Sequence, residues 1–449
     1  MYNPAMRIIY LKERDILFLF FISIIIIGTT LLFFPIAWQS DKEYTFVDSL
    51  FTAVSAVCVT GLSTVDIVGM TLFGKIVLLI LIQVGGLGLI TFSSMFLALP
   101  RKKLTLANTK IIQNYFTNEK IVDPKYIIKI VLRLTLTIEL IGAFFLFFSF
   151  KKFDIPDPIF SSIFHSVSAF CNAGFSTIPG GLEIFRNQAF GSVTFMLLIV
   201  TGGMGFVVLQ DIFDFICKRD VVLLLHTKIM LVSTLILIFS GCLLFYIFEF
   251  DNITFEGLTW SEKILPALFQ SITTRTAGFN TINQGDMTMP SKAISLGLML
   301  IGGGSGSTAG GIKVTTAFLI LGVLVQGLNA DKGLTVFKRK ISSINLTKAG
   351  IFFGKAIIIV FMSILGILIA ESFYGSKFTF MEITFESFSA IATVGLSLGI
   401  TSDLSVISKL IIIFTMFAGR IGLFSLIIPV NEIKIDRIIN YPEGEVLIG

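Results

Sequence analysis

Charged residues are what this chain lacks most. Asp, Glu, Lys and Arg make up 14% of it and hydrophobic residues 54%, whereas a soluble domain carries about 25% charged residues. That apolar excess is more than a soluble core accommodates, so the chain reads as a polytopic membrane protein. Cysteine is scarce too. There are four, with no CxxC pair, and Cys58 and Cys171 read as matching positions of a repeat rather than as a disulfide framework. The two histidines, His165 and His226, are too few and too far apart for a metal site. HExxH, a nucleophile elbow and a facing carboxylate pair are all missing, which makes a membrane-embedded enzyme the weakest reading. No small-residue cleavage site follows the first apolar run, which is therefore read as a retained helix.

What the chain does have is apolar length. Runs at 16–37, 76–99, 190–216, 229–248, 350–370 and 406–430 approach the roughly 20 residues that a spanning helix needs. One short phrase also occurs four times: Val57-Cys58-Val59-Thr60-Gly61-Leu62-Ser63, Phe170-Cys171-Asn172-Ala173-Gly174-Phe175-Ser176, Thr274-Arg275-Thr276-Ala277-Gly278-Phe279-Asn280 and Ile391-Ala392-Thr393-Val394-Gly395-Leu396-Ser397. Its glycines are separated by 113, 104 and 117 residues (174 − 61, 278 − 174, 395 − 278). Each phrase follows a short apolar stretch, at 46–57, 158–170, 261–273 or 379–391, and stands between two long ones. These stretches are too brief to cross a bilayer. Re-entrant helices are the natural reading, because non-helical backbone at membrane depth is tolerated only where it is buried or lines a wet cavity. Asp157-Pro158 is a strong helix start, with Asp as N-cap and Pro in the first turn. The pattern extends into the short helices, where Ser55-Ala56, Ser168-Ala169 and Ser389-Ala390 stand six and five residues before their glycines. The third unit has Ile272-Thr273 there and departs from the others.

The expected architecture is all-α: four M1–pore helix–M2 repeats, with eight transmembrane helices and four re-entrant pore helices, around a pseudo-fourfold pore. The divisions are a tail at 1–15, repeat 1 at 16–99, a linker at 100–125, repeat 2 at 126–217, repeat 3 at 223–328, a linker at 329–348, repeat 4 at 349–430 and a tail at 431–449. Lys and Arg gather between units, as at Arg101, Lys102 and Lys103 or Lys338, Arg339 and Lys340, while Asp157, Asp251, Asp286 and Asp403 flank the short helices. The positive-inside rule therefore puts both termini in the cytoplasm and the glycine phrases toward the outside. Every unit enters and leaves on the same side, which makes these parallel repeats about an axis along the membrane normal.

Four such loops suggest one ring of backbone carbonyls that replaces the water of a K⁺ ion without fixed charge, so that the ion can leave again. The filter positions are Cys58, Val59, Thr60 and Gly61, then Cys171, Asn172, Ala173 and Gly174, then Arg275, Thr276, Ala277 and Gly278, and lastly Ala392, Thr393, Val394 and Gly395. The glycines allow backbone conformations closed to residues with a Cβ. The short helices would aim their partly negative C-terminal ends at the cavity. The competing explanation is small-residue packing between helices, against which four copies in register weigh.

A second signal is the run Gly302-Gly303-Gly304-Ser305-Gly306-Ser307-Thr308-Ala309-Gly310-Gly311-Ile312-Lys313. Each Gly costs a helix about 1 kcal/mol against Ala, so the run breaks the apolar stretch 293–328 at membrane depth. A flexible loop there could block ions; a static hinge is the alternative. It is not a Walker A motif, because Ile312 stands where Lys is needed, and its loose dinucleotide fingerprint has no βαβ flanks. A third signal is Arg420, in Ala418-Gly419-Arg420-Ile421-Gly422 of the last span. An intramembrane Arg is costly and by default functional. It reads as facing the pore below the filter, where a cation raises the barrier for K⁺; snorkelling, or pairing with Asp211 or Asp214, is the alternative. Lys313 is a weaker candidate of the same kind. Glu139 lies within a span, at a helix interface or a cavity. Glu386 and His165, each nine residues before its glycine, read as braces of the short helices, and Arg275 as an anchor of backbone behind the filter.

These motifs together resemble the Trk/Ktr/HKT superfamily of cation transporters over nearly the whole chain. With no extra helix pair before the first unit, the length is similar to the bacterial KtrB-type membrane subunits rather than the longer TrkH type. The resemblance implies K⁺ uptake across a bacterial cytoplasmic membrane by a homodimer with one pore per subunit. It also implies control by a cytosolic KtrA-type nucleotide-binding ring, so that nucleotide acts only through that partner. It further implies an intramembrane gating loop at 302–313 with an Arg at the place of Arg420. In this family a glycine in all four phrases goes with K⁺ preference; some plant relatives carry Ser in the first and favour Na⁺, and this chain has Gly61. The basic loops 101–133 and 329–348 would touch the ring, or else are solvated or membrane-lipid-contacting faces. No nucleic-acid partner is implied. The alternative function is secondary transport of another cation or solute, Na⁺-selective or Na⁺-coupled (symport), motivated by the break at 302–313.

Overall fold

The computed structural model describes residues 13–39, 44–98, 124–218, 222–326 and 334–421. The expected tail 431–449, most of the tail 1–15 and of the linker 100–125, and repeat 4 beyond 421 lie outside the described residues. Unit one comprises α1 (Glu13–Phe33), α2 (Phe46–Val57) and α3 (Leu72–Ala98). Unit two comprises α4 (Pro124–Lys152), α5 (Pro158–Phe170), α6 (Ala189–Met204) and α7 (Phe206–Cys217). Unit three comprises α8 (Leu225–Glu249), α9 (Ile264–Thr273), α10 (Met289–Leu300) and α11 (Val314–Gln326), and unit four α12 (Ser343–Tyr374), α13 (Phe380–Ala392) and α14 (Val406–Ile421).

Local sequence explains where the short helices begin. Thr45 caps α2 and Thr379 caps α13, each in a reciprocal box with the acidic residue three positions on, Asp48 or Glu382. The expected cap at Asp157 does not form. Pro158 does occupy the first turn of α5, but Asp157 sits at φ 47° and ψ 61° and makes no side-chain cap bond. An N-cap needs β-region backbone to bring its oxygen over the first N–H groups.

Of the eight expected spans, four among the described residues are long and apolar enough to cross a membrane: Asp15–Phe33, Ile128–Lys152, Leu225–Glu249 and Ser343–Tyr374. The bent pair α6–α7 would make a fifth. Their outer faces suit lipid, since Leu140, Phe144, Ile236, Phe239, Ile358 and Phe361 are all exposed. Two expectations need correction. The stretch 189–217 is not one helix; it turns by 104° between Met204 and Phe206. Gly205 there adopts φ +96°, which side chains with a Cβ rarely reach. The fold is also not wholly helical. Within the expected linker 329–348, Leu334–Val336 (β1) pairs antiparallel with Arg339–Ile341 (β2), and α12 then starts at Ser343 rather than 349. Leu334 is buried against the Gly322 turn of α11 and pins the hairpin there.

The units pack in a closed cycle. The helix that follows each glycine phrase contacts the short helix of the next unit: α3 with α5, α6 with α9, α10 with α13, and α14 with α2. All four short helices therefore end toward one centre.

Candidate functional site: four glycine loops and the loop packed against them

Each short helix stops at its phrase by the same backbone device. The residue two before the glycine is left-handed in every copy: Val59 at φ 55°, Asn172 at 58°, Thr276 at 72° and Thr393 at 50°. The glycines follow at +96°, +69°, +78° and +93° for Gly61, Gly174, Gly278 and Gly395. A left-handed β-branched residue is strained by about 1–3 kcal/mol and persists only where its surroundings fix it. Here the short helix does so. Thr60 N donates to Ser55 O at 2.8 Å, Ala173 N to Ser168 O at 2.7 Å and Val394 N to Ser389 O at 2.8 Å. The Ser55 and Ser389 hydroxyls also accept from Gly61 N and Gly395 N, at 3.1 and 3.0 Å. Unit three uses one residue fewer, with Ala277 N donating to Thr273 O at 3.0 Å. That is the physical content of its odd sequence.

The four loops meet in a ring, in chain order. A Cβ added to Gly61 would come within 2.5 Å of Ala173 O, and one on Gly174 within 2.9 Å of Ala277 O. Likewise Gly278 faces Val394 O, and Gly395 faces Thr60 O. The same atom on Gly278 would lie 3.2 Å from both Gly174 Cα and Gly395 Cα. The carbonyls of Thr60, Ala173, Ala277 and Val394 thus each lie against the preceding loop's glycine. Cys58 and Cys171 cap α2 and α5 and are fully buried, and Ala392 is the last residue of α13. The C-terminal ends of α2, α5, α9 and α13 bring their partial negative charge to this ring.

Each loop is tied back to its short helix by a different polar group. Thr64 Oγ1 donates to Asp48 Oδ1 at 2.8 Å, and Lys409 of unit four pairs with the same oxygen at 3.3 Å. His165 gives Nδ1 to Ser161 O at 2.7 Å, so Nε2 accepts from Thr177 N at 3.3 Å and Ser176 Oγ at 3.0 Å. Gln270 and Gln284 exchange amide bonds of 2.7 and 3.1 Å. Glu386 accepts from Ser397 Oγ, and from Thr401 Oγ1 at 3.1 Å. The braces Asp48 and Gln270 are not aligned with His165 and Glu386 by residue type or spacing, and sequence reasoning missed them.

The Gly302–Lys313 segment is non-helical and lies directly against the ring. A Cβ on Gly302 would lie 3.2 Å from Thr276 Cγ2, one on Gly310 3.1 Å from Thr393 Cβ, and one on Gly311 3.4 Å from Ala392 Cα. The side-chain amide of Asn172 lies 3.3 Å from Thr308 Oγ1. The segment also docks on the break in unit two. Gly304 N donates to Gly203 O at 2.8 Å, Phe206 N to Gly306 O at 3.1 Å, and Thr308 Oγ1 lies 3.1 and 3.0 Å from Phe170 O and Gly202 O. Internal bonds shape it: Gly302 N to Ile312 O at 2.8 Å, Ser307 Oγ to Gly304 O at 2.7 Å and Lys313 Nζ to Ala309 O at 2.6 Å. Ser305 Oγ is 3.4 Å from Thr315 Oγ1.

Two buried arginines hold it. Arg275, 8% exposed, reaches back from the third phrase to Gly302 O and Thr234 Oγ1, both at 3.4 Å. Arg420, 6% exposed, donates to Thr308 O, and to Gly85 O and Gly86 O at 2.6 and 3.1 Å. Asp211 instead accepts from Leu224 N at 3.0 Å, and Asp214 pairs with Lys218 at 2.6 Å.

The register of Arg420 reveals a motif that the sequence reading overlooked. Gly85, Gly202, Gly302 and Gly419 follow their phrase glycines by 24, 28, 24 and 24 residues (85 − 61, 202 − 174, 302 − 278, 419 − 395). At Gly85, Gly202 and Gly419 a Cβ would lie 2.7, 2.9 and 2.8 Å from the carbonyl carbon of Val57, Phe170 or Ile391, at or beside the end of a short helix. The next residue is Gly86, Gly203 or Gly303 in three units and Arg420 in the fourth. Paired small residues at near-constant distance from the phrases were the available signal, masked inside apolar runs.

Fold and site define a helical, multi-pass membrane protein whose four glycine loops close on one axis. The family described as cation transport protein (TrkH) matches residues 12–441. The chain is 37% identical over 433 residues to Ktr system potassium uptake protein B of Bacillus subtilis (strain 168), covering 96% of this chain and 95% of the relative. It is 35% identical over 440 residues to potassium/sodium uptake protein NtpJ of Enterococcus hirae, covering 96% and 95%. The crystal structure of the potassium transporter TrkH from Vibrio parahaemolyticus superposes with a TM-score of 0.71 at 19% identity, over 94% of this chain and 85% of that one. The chain belongs to the TrkH family of cation transport proteins, a family of transporters and not of enzymes.

Proposed function

We propose that this protein takes up potassium across a bacterial cytoplasmic membrane through a channel-like pore with a backbone-carbonyl filter. The observation that carries the reading is the closed ring of glycines, each facing the next loop's carbonyl and each preceded by a left-handed residue. In this reading the units are M1–pore helix–M2 repeats about a pseudo-fourfold axis. K⁺ sheds water to the carbonyls of the four phrases, residues 58–61, 171–174, 275–278 and 392–395, and the short-helix C-termini favour its charge. The names of the relatives support potassium as the cargo.

The segment 302–313 acts as the gate. It presses on three phrases, and Arg420 clamps it through Thr308 O while keeping a positive charge near the ion path. Displacing the loop frees Arg420 from that carbonyl and lowers the barrier. Lys313 adds a second cation at the loop's end. Arg275 is an anchor of backbone rather than an ion ligand, since its guanidinium points to Gly302 and Thr234. The working unit is a homodimer with cytoplasmic termini, regulated by a KtrA-type nucleotide-binding ring on its cytosolic loops.

⁸⁶Rb⁺ uptake into liposomes, with K⁺ and Na⁺ as competitors, tests this directly. K⁺ should compete and Na⁺ should not, and Gly174→Asp should abolish uptake. Unimpaired rescue of a K⁺-uptake-deficient strain by Gly174→Asp would refute the filter. Sodium as a second cargo, or as coupling ion, is the other reading, favoured by the potassium/sodium name of the Enterococcus relative. Competition by Na⁺ equal to that by K⁺ would select it.

A further inference from the structure

A buried carboxyl behind the second glycine loop has no part in the reading above. Glu139 lies within α4 and is 6% exposed; an ionisable side chain inside a span is costly and marks a task. The fold itself does not require it. Ser166 of α5 donates to the Glu139 backbone carbonyl at 2.6 Å, and in unit three Ser271 of α9 donates to the Ile238 carbonyl in the same way at 2.8 Å. Three residues on, Gly142 or Gly241 makes room for the serine. Ile238 thus fills the place of Glu139 with a wholly apolar side chain.

The carboxyl differs from Ile238 in what its far end touches. Oε2 accepts from Gln83 Nε2 of α3 at 3.2 Å. Oε1 lies 4.0 Å from Cys171 Sγ, which in turn lies 3.6 Å from Gln83 Oε1. Cys171 opens the second filter sequence. Gln83 stands two residues before Gly85, and the Gly85 and Gly86 carbonyls hold Arg420. A Cβ on Gly86 would come within 2.7 Å of Cys171 Sγ, so this α3 turn and the second loop are already in tight contact.

We infer that Glu139 is a positioning residue for cation selection: hydrogen-bonded to Gln83 and facing Cys171, it fixes the second glycine loop against the α3 turn that seats Arg420. The inference rests on the filter reading of the four loops. Its test is K⁺ against Na⁺ competition of ⁸⁶Rb⁺ uptake by the full-length protein in liposomes. A competition ratio does not change when fewer molecules fold, so a merely structural role leaves it alone. Glu139→Ile, the residue of unit three, should lower K⁺ over Na⁺ preference by about 3- to 10-fold, the scale of one or two hydrogen bonds. Glu139→Gln keeps an oxygen for Gln83 and should stay within about 2-fold of wild type, by the same measure. Gln83→Leu should reproduce the loss, and the double variant should be no worse than the worse single, since both remove one contact. Wild-type preference in Glu139→Ile, an equal loss in Glu139→Gln, or additive losses in the double variant would each overturn it. If Glu139→Ile does not fold, the preference of Gln83→Leu decides alone. A wild-type protein without K⁺ preference would sink the filter reading itself; a K⁺-preferring wild type with an unchanged Ile variant sinks only this one.

Discussion

The helices that follow the glycine phrases differ in how they pass one glycine motif. In unit one α3 runs on through Gly85-Gly86 to Ala98, and in unit four α14 is helical through Gly419-Arg420 to Ile421, the last described residue. In units two and three the helix stops beside the same motif, α6 at Met204 just past Gly202-Gly203 and α10 at Leu300 just before Gly302-Gly303. One glycine motif therefore serves two ends. At Gly85, Gly202 and Gly419 it lets a helix axis approach the end of a short helix, and at the two broken ends it frees backbone for bonding elsewhere. The two broken ends bond to each other, through Gly304 N to Gly203 O and Phe206 N to Gly306 O. The ring of phrases is nearly fourfold, and the layer packed against it is not. Under the proposed function, selection is shared by all four phrases while gating falls to units two and three with Arg420.

The sharpest way to break this comparison is to attack the equal part. If the ring is the filter, Gly278→Ala should reduce ⁸⁶Rb⁺ uptake by about 100-fold or more, the scale that an ångström of misplacement can cost a positioned site. The added Cβ meets Val394 O and lies 3.2 Å from two neighbouring glycine Cα atoms, at φ +78°. Gly180→Ala is the matched control. Its φ is also positive, at +73°, but nothing lies within 4 Å of the new atom, so it should cost only about 1 kcal/mol of stability and leave uptake intact. Equal damage from both would mean that backbone strain, not the ring, explains the effect.

The unequal part is tested next. Deleting 304–310 removes the bonds to Gly203 and Phe206 and the contact with Thr393, and should raise uptake by the protein reconstituted alone, without the proposed cytosolic partner, by about 10-fold, a barrier change near 1.4 kcal/mol. Unchanged or lower flux in correctly folded protein would make the segment a static break. Arg420→Ala should act in the same direction and less, by about 3-fold. Truncation removes the cation but also leaves the carbonyls of Thr308, Gly85 and Gly86 without their donor, at a stability cost of about 1–3 kcal/mol. A fall in flux would assign Arg420 a purely structural pairing role.

Much of this was legible in the sequence for a physical reason. Membrane spans announce themselves by apolar length, and the short helices by their abrupt end at a glycine phrase; the stretch 158–170 and α5 coincide residue for residue. The glycine run 302–313 was legible because nothing helical tolerates it. The break at Gly205 was not, since Gly202, Gly203 and Gly205 lie in an apolar run whose hydropathy records length and not direction. What bends it is the segment docked on it, about 100 residues later in the chain: a Cβ on Gly205 would come within 2.7 Å of Ser305 O. The β1–β2 hairpin was hidden because it has two strands of three residues, pinned by one leucine. Arg420 stood out by its charge, but its register with Gly86, Gly203 and Gly303 emerged only once the close approaches were known.

The smallest effect separates units two and four at the start of their short helices. Thr379 caps α13 in a reciprocal box, with Thr379 Oγ1 at 2.8 Å and Thr379 N at 2.7 Å from Glu382 Oε2. Asp157 precedes α5 with no cap bond and a left-handed backbone. Thr379→Ala should therefore destabilise the purified protein by about 1 kcal/mol, whereas Asp157→Gly should be neutral or stabilise it by up to about 1 kcal/mol, because glycine reaches φ 47° without a Cβ penalty. Thermal unfolding in detergent reads both, and the competition ratio of K⁺ over Na⁺ should not move in either, since neither change reaches the ring. A destabilised Asp157→Gly variant would mean that the aspartate supports α5 by its charge at the helix N-terminus, and unit two would then enter its short helix by electrostatics where unit four uses a hydrogen-bonded box.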